Sequence, residues 1–495
     1  MAWFDKQIFQ KGITSLFGGL DLGSVGTSAA VTLEINVTTG SDTTGNGTLS
    51  TPYKTIGKAL SVAPFLAAHA IQINLAAGIY PELLNVTHVL ASTGKVTITG
   101  AFQAFTPATG PASGTFDGSF AEPLANTAKL TGATWTVNNL KGKFLQITSG
   151  SLNGRYIPIG ANAADTLDIS AAANTGTYNL QGVSFNIVEQ SVTLARDSVG
   201  GQTQAIMWVS NNPTDFTAAN GVTLENVKVD LTGLTNSGIR VQQGVFHLRQ
   251  CMTFTGSGAP TALFPTGRHT RVTITDSYVS SGAGAFVISA ASCSQVTLDG
   301  LIVDGGAVGL SATTNCTVTT STGQALIQNC TTAGMSFTQS YMTGGRAVIR
   351  SCVIGMRVFG QCRITPSNLV VQNNTAAGVH LLTGGGTGDN GSTVSTTGWS
   401  ITGNTTAGIA LDSSHNWIHL STTTVSTNGT FGVQASNLKG GGFNQVSTTS
   451  ATIMASNTSG DFSIDGTAAI SLAALRADGD KDMLDPVRLN RLFEF

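Results

Sequence analysis

Apolar positions along this chain come in short runs of β-branched residues that alternate with polar ones. VTITG at 96–100, RVTITD at 271–276 and QVTLDG at 295–300 show the pattern, each closed by glycine or aspartate. Alternation with a period of two places one side of an extended segment in a core and the other in water, which predicts strands broken by turns. The chain reads as all-β.

The runs repeat. One anchor is an apolar residue followed by a polar pair and often Asn or Cys. It recurs at Leu224, Leu248, Ile274, Leu298, Ile327, Ile349, Val371, Ile401, Val425 and Met454. A second anchor, a small residue before the next apolar run, recurs at Gly238, Ala262, Ala285, Gly309, Gly334, Gly355, Gly378, Gly408, Gly432 and Gly460. Both keep a period of about 24 residues, which suits one coil of a right-handed parallel β-helix, a solenoid whose coils stack about 4.8 Å apart. Equivalent residues then form ladders. Cys251, Cys330, Cys352, Asn374, Asn404, Asn428 and Asn457 are expected in one inward column, with Cys293, Cys316 and Cys362 in another. Stacked amides satisfy one another's donors and acceptors.

Composition narrows the function. A chain of 495 residues with 41% hydrophobic content and only 10% charged residues is too apolar for disorder. A net charge of −2 and the lack of a Lys/Arg run argue against a nucleic-acid partner. No stretch of 18 apolar residues predicts a membrane span. Six cysteines without CxxC or His-flanked spacing read as buried fillers, so no metal and no cofactor are expected. Asp5, Lys6 and Lys11 interrupt what would be a signal-peptide core, so synthesis in a host cytoplasm without a signal peptide is expected.

Near the N-terminus, GSDTTGNGTLSTPYKTIGKAL (40–60) runs from a turn through Pro52 into a short helix, with Thr55, Ile56, Ala59 and Leu60 at helical spacing. INLAAGIYPE (73–82) follows. A solenoid leaves an open end that templates aggregation, and such a helix closes it. This stretch resembles the N-terminal cap of pectate-lyase-like β-helices, found in bacteriophage tailspikes and in polysaccharide-active proteins. The resemblance implies the fold and leaves the chemistry open. The expected organisation is a docking segment at 1–33, rich in Trp3, Phe4, Ile8, Phe9, Ile13 and Phe17, then a cap with first coils at 34–100. An inserted β module at 101–190, where the period fails, precedes the regular β-helix at 191–470. The 471–495 tail is expected to be helical, with Asp485 as N-cap, Pro486 in the first turn and Leu489, Leu492 and Phe493 on one face.

Two functions fit. One is a virion structural protein, a homotrimeric tailspike, fibre or appendage that docks on the phage particle through residues 1–33 and contacts host surface polysaccharide. The alternative is a polysaccharide depolymerase on the same scaffold. Glycoside hydrolysis needs two carboxylates about 5 Å apart for retention or roughly 6.5–9.5 Å apart for inversion. Asp276 and Asp299, in successive coils, with Asp304 just downstream, form the best candidate trio, although an offset of one residue turns side chains to opposite faces of a strand. Turn and solvent-facing roles for the three remain open beside it. Trp417, in DSSHNWIH, and Asp389, on the loop GTGDNGST, are candidate glycan contacts. Ser, His and Asp packed within a few residues of extended chain do not converge into a triad. Glu225 and Arg249 share an outward column and are expected to pair.

Overall fold

The computed structural model describes residues 29–477 except 91–93, 123–124, 170–179, 197–205, 211–220, 236, 255–259, 283, 293, 322, 383–390, 413–415, 436–444, 449–451, 465–468 and 472–475. Most of the docking segment, the C-terminal tail beyond residue 477, Cys293 and Asp389 lie outside the described residues.

The chain winds as a parallel β-solenoid with three faces. One coil shows the plan: Gln295–Asp299 on the first face, Ile302–Gly305 on the second, Val308–Thr313 on the third. Each strand then pairs in parallel with its counterpart in the next coil: Thr317–Thr320, Ala325–Gln328 and Ala333–Thr338. The second face alone carries 13 strands. Residues 31–33 belong to this rod rather than to a free leader, because Val31–Ile35 pairs with Ile71–Leu75 as the first strand of the first face.

Corners follow a simple rule. A single residue at positive φ turns the chain, and the next residue points into the core. Between first and second faces these are Asn226, Gln250 and Asp276, at φ 57°, 53° and 44°. Between second and third they include Asn329, Ser351 and Asn373, at 59°, 54° and 53°. The left-handed region is costly for most side chains, and Asn and Asp pay least for it. Corner amides still bond to the next coil, as Asn373 N does to Thr402 O at 3.1 Å.

The interior columns differ from the sequence expectation in an instructive way. Leu224, Leu248, Ile274 and Leu298 lie on the first face, whereas Ile327, Ile349, Val371, Ile401, Val425 and Met454 lie on the second. The first anchor therefore slips by one face between Leu298 and Ile327. Cys251 accordingly sits at the corner after the first face, beside Ser277, and not above Cys330. Cys330, Cys352, Asn374, Asn404, Asn428 and Asn457 do share the corner after the second face. There each Asn Nδ2 donates to the next Oδ1: Asn374 to Asn404 at 2.9 Å, Asn404 to Asn428 at 3.0 Å, Asn428 to Asn457 at 2.9 Å. The other column is Ser294, Cys316, Ser340, Cys362 and Ser392, linked by contacts such as Cys316 N to Ser340 Oγ at 3.3 Å. Register gives the place beside Cys316 to Ser294. All five described cysteines are buried, and burial pushes the Cys251 thiol up to about 12, far from reactive thiolate chemistry.

Glycines make room for the amide ladder. A Cβ on Gly378 would lie 2.7 Å from Gly408 O and 2.8 Å from Asn404 Nδ2, and Gly355 and Gly408 are as crowded. The second anchor is this column in all but two coils, where Val287 rather than Ala285, and Asp461 rather than Gly460, fills its place.

At the N-terminal end, helix Ile56–Val62 buries Ile56, Ala59 and Leu60 over the first coils. Thr55 Oγ1 caps it by accepting from Lys58 N at 3.1 Å. Asp42 holds the cap in turn, accepting from Lys54 N, Thr55 N and Thr55 Oγ1. Glu82, from the next coil, accepts from Ile56 N and Gly57 N at 2.9 and 2.8 Å. Negative charge at a helix N-terminus is favourable, and these two carboxylates tie the plug to the rod.

The chain leaves the solenoid after Lys95–Thr99 and returns at Val192–Ala195, where Ser191 N bonds Ala101 O at 2.8 Å. Between them lies an antiparallel module of eight strands with its own core, including Phe116, Trp135, Ile157, Leu167 and Phe185. Phe116 and Phe185 stack at 4.2 Å, and Trp135 Nε1 donates to Pro111 O at 2.9 Å.

Candidate functional site

The module lies against the second face of the rod, and the acidic candidates sit in that junction. Outward residues of this face are normally wet, yet Tyr278, Ile302, Leu326, Val348 and Val370 form a buried apolar column. Gly160 of the module lies over it: a Cβ there would meet Ile302 Cδ1 at 3.2 Å and Leu326 Cδ2 at 3.4 Å. Around this apolar strip run polar clasps. Arg155 Nη2 donates to Asp276 Oδ1 and Oδ2 at 3.3 and 3.2 Å. Lys141 Nζ lies 2.6 Å from Asp304 Oδ2. Arg350, on the rod, donates to Asp168 of the module at 2.7 Å and to Gln328 Oε1 at 3.0 Å, and Gln328 Nε2 reaches Gly160 O at 3.4 Å.

Asp304 is saturated. Tyr278 Oη donates to its Oδ2 at 2.7 Å and Asn329 Nδ2 to its Oδ1 at 2.8 Å, beside Lys141, and the residue is only 2% exposed. Burial, with the Asp304 charge adding, pushes the Tyr278 hydroxyl well above its ordinary range. Asp276 is a corner residue, so its side chain leaves the strand direction of the first face and enters the junction. Burial pushes its carboxyl up to about 6, the Arg155 charge and hydrogen bond opposing and Asp299 adding to the rise. Asp299 pairs by register with Thr275, not Asp276, and Asp276 N donates to its backbone O at 2.9 Å. Its Oδ1 is buried without a hydrogen-bond partner. The trio therefore surrounds a corner: Asp276 and Asp304 each face a cation of the module, and Asp299 lies outside those two clasps.

Trp417 stands outward on the first face, 51% exposed, in the column of Tyr341, Arg363 and Thr393. Arg249 and Glu225 do pair across coils at 3.3 Å. His419 bonds Ser447 across coils at 2.8 Å, while Asp412 bonds His380 of the preceding coil, so these two residues of DSSHNWIH serve contacts between coils.

The third face holds residues that the sequence reading passed over. One outward column runs Trp208, Arg240, Phe264, Ser289, Ser311, Ser336, Arg357, His380. The Arg240 guanidinium lies between two rings, 4.9 Å from the Trp208 centroid and 5.4 Å from that of Phe264. Arg357 lies 4.8 Å over Phe359. A sequence signal for this column existed. Arg240, Phe264, Ser311, Ser336, Arg357 and His380 each come one position after the inward apolar residue that follows the small-residue anchor, and strand alternation points such residues outward.

Among the described residues, no three His, Cys, Asp or Glu side chains are grouped to hold a metal ion, and no helix is long and apolar enough to cross a membrane. No family model and no curated protein sequence matches the chain. Among solved structures it is similar to a GH136 lacto-N-biosidase from Eubacterium ramulus, at 8% identity and TM-score 0.38, over 90% of this chain and 68% of that one. It is also similar to the tailspike protein gp49 from Pseudomonas phage LKA1, at 12% identity and TM-score 0.35, over 83% and 69% of the two chains. A third is the Gp54 tailspike of Acinetobacter baumannii bacteriophage AP22, solved with capsular saccharide, at 9% identity and TM-score 0.22, over 82% and 67%. That this chain is a parallel β-solenoid is shown by its own strand pairing.

Proposed function

We propose that the protein is a tailspike-like appendage of a phage particle, homotrimeric, docked through residues 1–33, that adheres to a host surface polysaccharide without cleaving it at the Asp276–Asp299–Asp304 cluster. The observation that carries the adhesive reading is the fate of the carboxylates. Asp276 and Asp304 are 4% and 2% exposed and each is bonded to a cation of the module, so a sugar ring has no path between them. A hydrolytic pair must flank the scissile bond with open access to it. The outer faces, by contrast, present rings and donors in regular columns, with Trp417 on the first face and the aromatic–arginine column on the third. Carbohydrate recognition pairs apolar ring faces with a few placed polar groups. The virion role rests on the resemblance of residues 40–82 to tailspike caps.

Purified protein incubated with intact host cells and with their extracted surface polysaccharide tests this. Expected is adherence that disappears when the polysaccharide is stripped, with the chain length of the extracted polymer unchanged. Shortening of the polymer that stops in Asp276→Asn or Asp304→Asn would overturn the reading. A monomer by sedimentation would remove the trimer from it.

A further inference from the structure

Two arginines on the third face have rings but no counter-ions. Arg240 is held between Trp208 and Phe264, and Arg357 lies on Phe359. No carboxylate among the described residues lies within ion-pair distance of either, although Asp276, Asp304, Asp168, Glu189 and Glu225 elsewhere all have theirs. In both residues Nε is enclosed without a hydrogen-bond acceptor, and these two account for two of the five such buried side-chain atoms among the described residues. Of the three guanidinium nitrogens only Nε is so enclosed, so the paired Nη groups form the outward edge. A guanidinium fixed flat on a ring loses little freedom on binding and presents a fork that matches a carboxylate in two-point geometry.

The two forks belong to one column. From Arg240 the register steps through Phe264, Ser289, Ser311 and Ser336 to Arg357, five coils on, about 24 Å at ordinary strand spacing. Between them stand small hydroxyl residues, Ser289 and Ser336 half-buried and Ser311 buried. Thr313 and Thr338 stand outward one column aside, followed by Phe359 and then Leu382 in the next coils. The result is a shallow hydroxyl-lined trough with a cation on an aromatic platform at each end. Beyond Arg357, His380 is bonded to Asp412 and bounds that end.

We propose that this trough is a binding site for an acidic polysaccharide, lying along the rod axis, whose carboxylates engage Arg240 and Arg357 while the intervening sugars hydrogen-bond Ser289 and Ser336. This deepens the adhesive reading by naming a face and a glycan class, and rests on it for its biological sense. Neutral glycans leave both forks unmatched. A short acid can fill one fork only, so affinity rises steeply once an oligomer is long enough to bridge both.

The test uses the full chain and defined probes: oligogalacturonates and α2,8-linked oligosialates of increasing length, the methyl-esterified galacturonates, and neutral dextran oligomers, titrated calorimetrically. Expected is binding of at least one acidic series, weakened by salt, lost on esterification, and reduced about tenfold or more in Arg240→Gln and in Arg357→Gln. Ser336→Phe keeps both cations and blocks the floor, and is expected to abolish the advantage of long over short oligomers. Equal binding of esterified and free probes, or arginine variants that bind as well as wild type, would overturn the site. If the arginine variants still adhere to host cells, the appendage reading stands and this site falls. If acidic oligomers bind but wild type ignores cells, the site stands and the appendage reading falls.

Discussion

Arg155 of the inserted module and Asp276 of the rod face each other at 3.2 Å, and the residue that completes this ion pair is also the one that turns the corner between two faces, at φ 44°. A carboxylate at that corner points sideways into the junction rather than out along the strand. Its position is therefore set by the solenoid, and its partner by the module. Side-chain placement here joins two cores that also meet along an apolar strip and through the Lys141–Asp304 and Arg350–Asp168 contacts.

Asp276 predicts a pH signature. Its folded-state carboxyl titrates near 6, above the ordinary value of 3.8, chiefly because of burial. A raised acid favours the protonated form in the folded state, so its contribution is fully present below 3.8 and is lost as pH rises toward 6. Stability from this group falls across that window by on the order of 3 kcal/mol. Asp42 has the opposite sign: donors from Thr55 and Lys54 hold its carboxyl below the ordinary range against partial burial, so its contribution is present above 3.8 and is lost on acidification. Thermal unfolding of wild type and Asp276→Asn between pH 4 and 7 checks the first. The expected result is a difference between the two proteins that changes across pH 4–6 and is flat above 7. A constant difference would mean that Asp276 titrates normally.

Docking of the module depends on close approach. Gly160→Val places branched carbon where Ile302 Cδ1 and Leu326 Cδ2 already lie, within 3.2–3.4 Å of the first added atom. Overpacking of this kind costs about 1–3 kcal/mol. Because the module has its own core, the expected outcome is release rather than unfolding. Limited proteolysis is predicted to cut near residues 100 and 191 in the variant and not in wild type, while circular dichroism of both stays β. Arg350→Ala, which loses Asp168 and Gln328 together, is expected to act in the same direction more weakly.

How much of this was written in the sequence depends on which interaction is local. The period, the cap and the amide ladder rest on residues that repeat every coil, so their spacing reveals them. The column slip between Leu298 and Ile327 arises because each of the three corners uses the same device, a left-handed residue and then an inward one. Sequence around Cys251 and Cys330 looks alike for that reason, although the two belong to different corners. The junction was hidden for another reason: Arg155–Asp276 and Lys141–Asp304 join residues more than a hundred positions apart, and nothing in either segment marks its partner. Asp276, Asp299 and Asp304 were legible as an acidic cluster with turn roles open for each, but the module cations that Asp276 and Asp304 meet were not. The arginine column was legible in part, since its residues recur two positions past the small-residue anchor, but the stacking of Arg240 on Trp208 and Phe264 depends on register between coils.

The amide ladder yields the sharpest stability prediction. In Asn404→Ala, Asn374 Nδ2 loses its acceptor and Asn428 Oδ1 loses a donor, and the backbone N of Asn374, which bonds Asn404 Oδ1 at 3.2 Å, loses one as well. Each stranded buried polar group costs about 1–3 kcal/mol, so the variant is expected to lose several kcal/mol, more than an exposed pair such as Arg249–Glu225 contributes at about 0–1 kcal/mol. Gly378→Ala attacks the same place from the other side, with a methyl 2.8 Å from the Asn404 amide and 2.7 Å from Gly408 O. Both lesions sit in one network, so the double variant is expected to fall short of the sum of the singles. Denaturant melts of the four proteins check this. Strict additivity would show that the glycine column supports the backbone alone, and that the asparagines stack without its help.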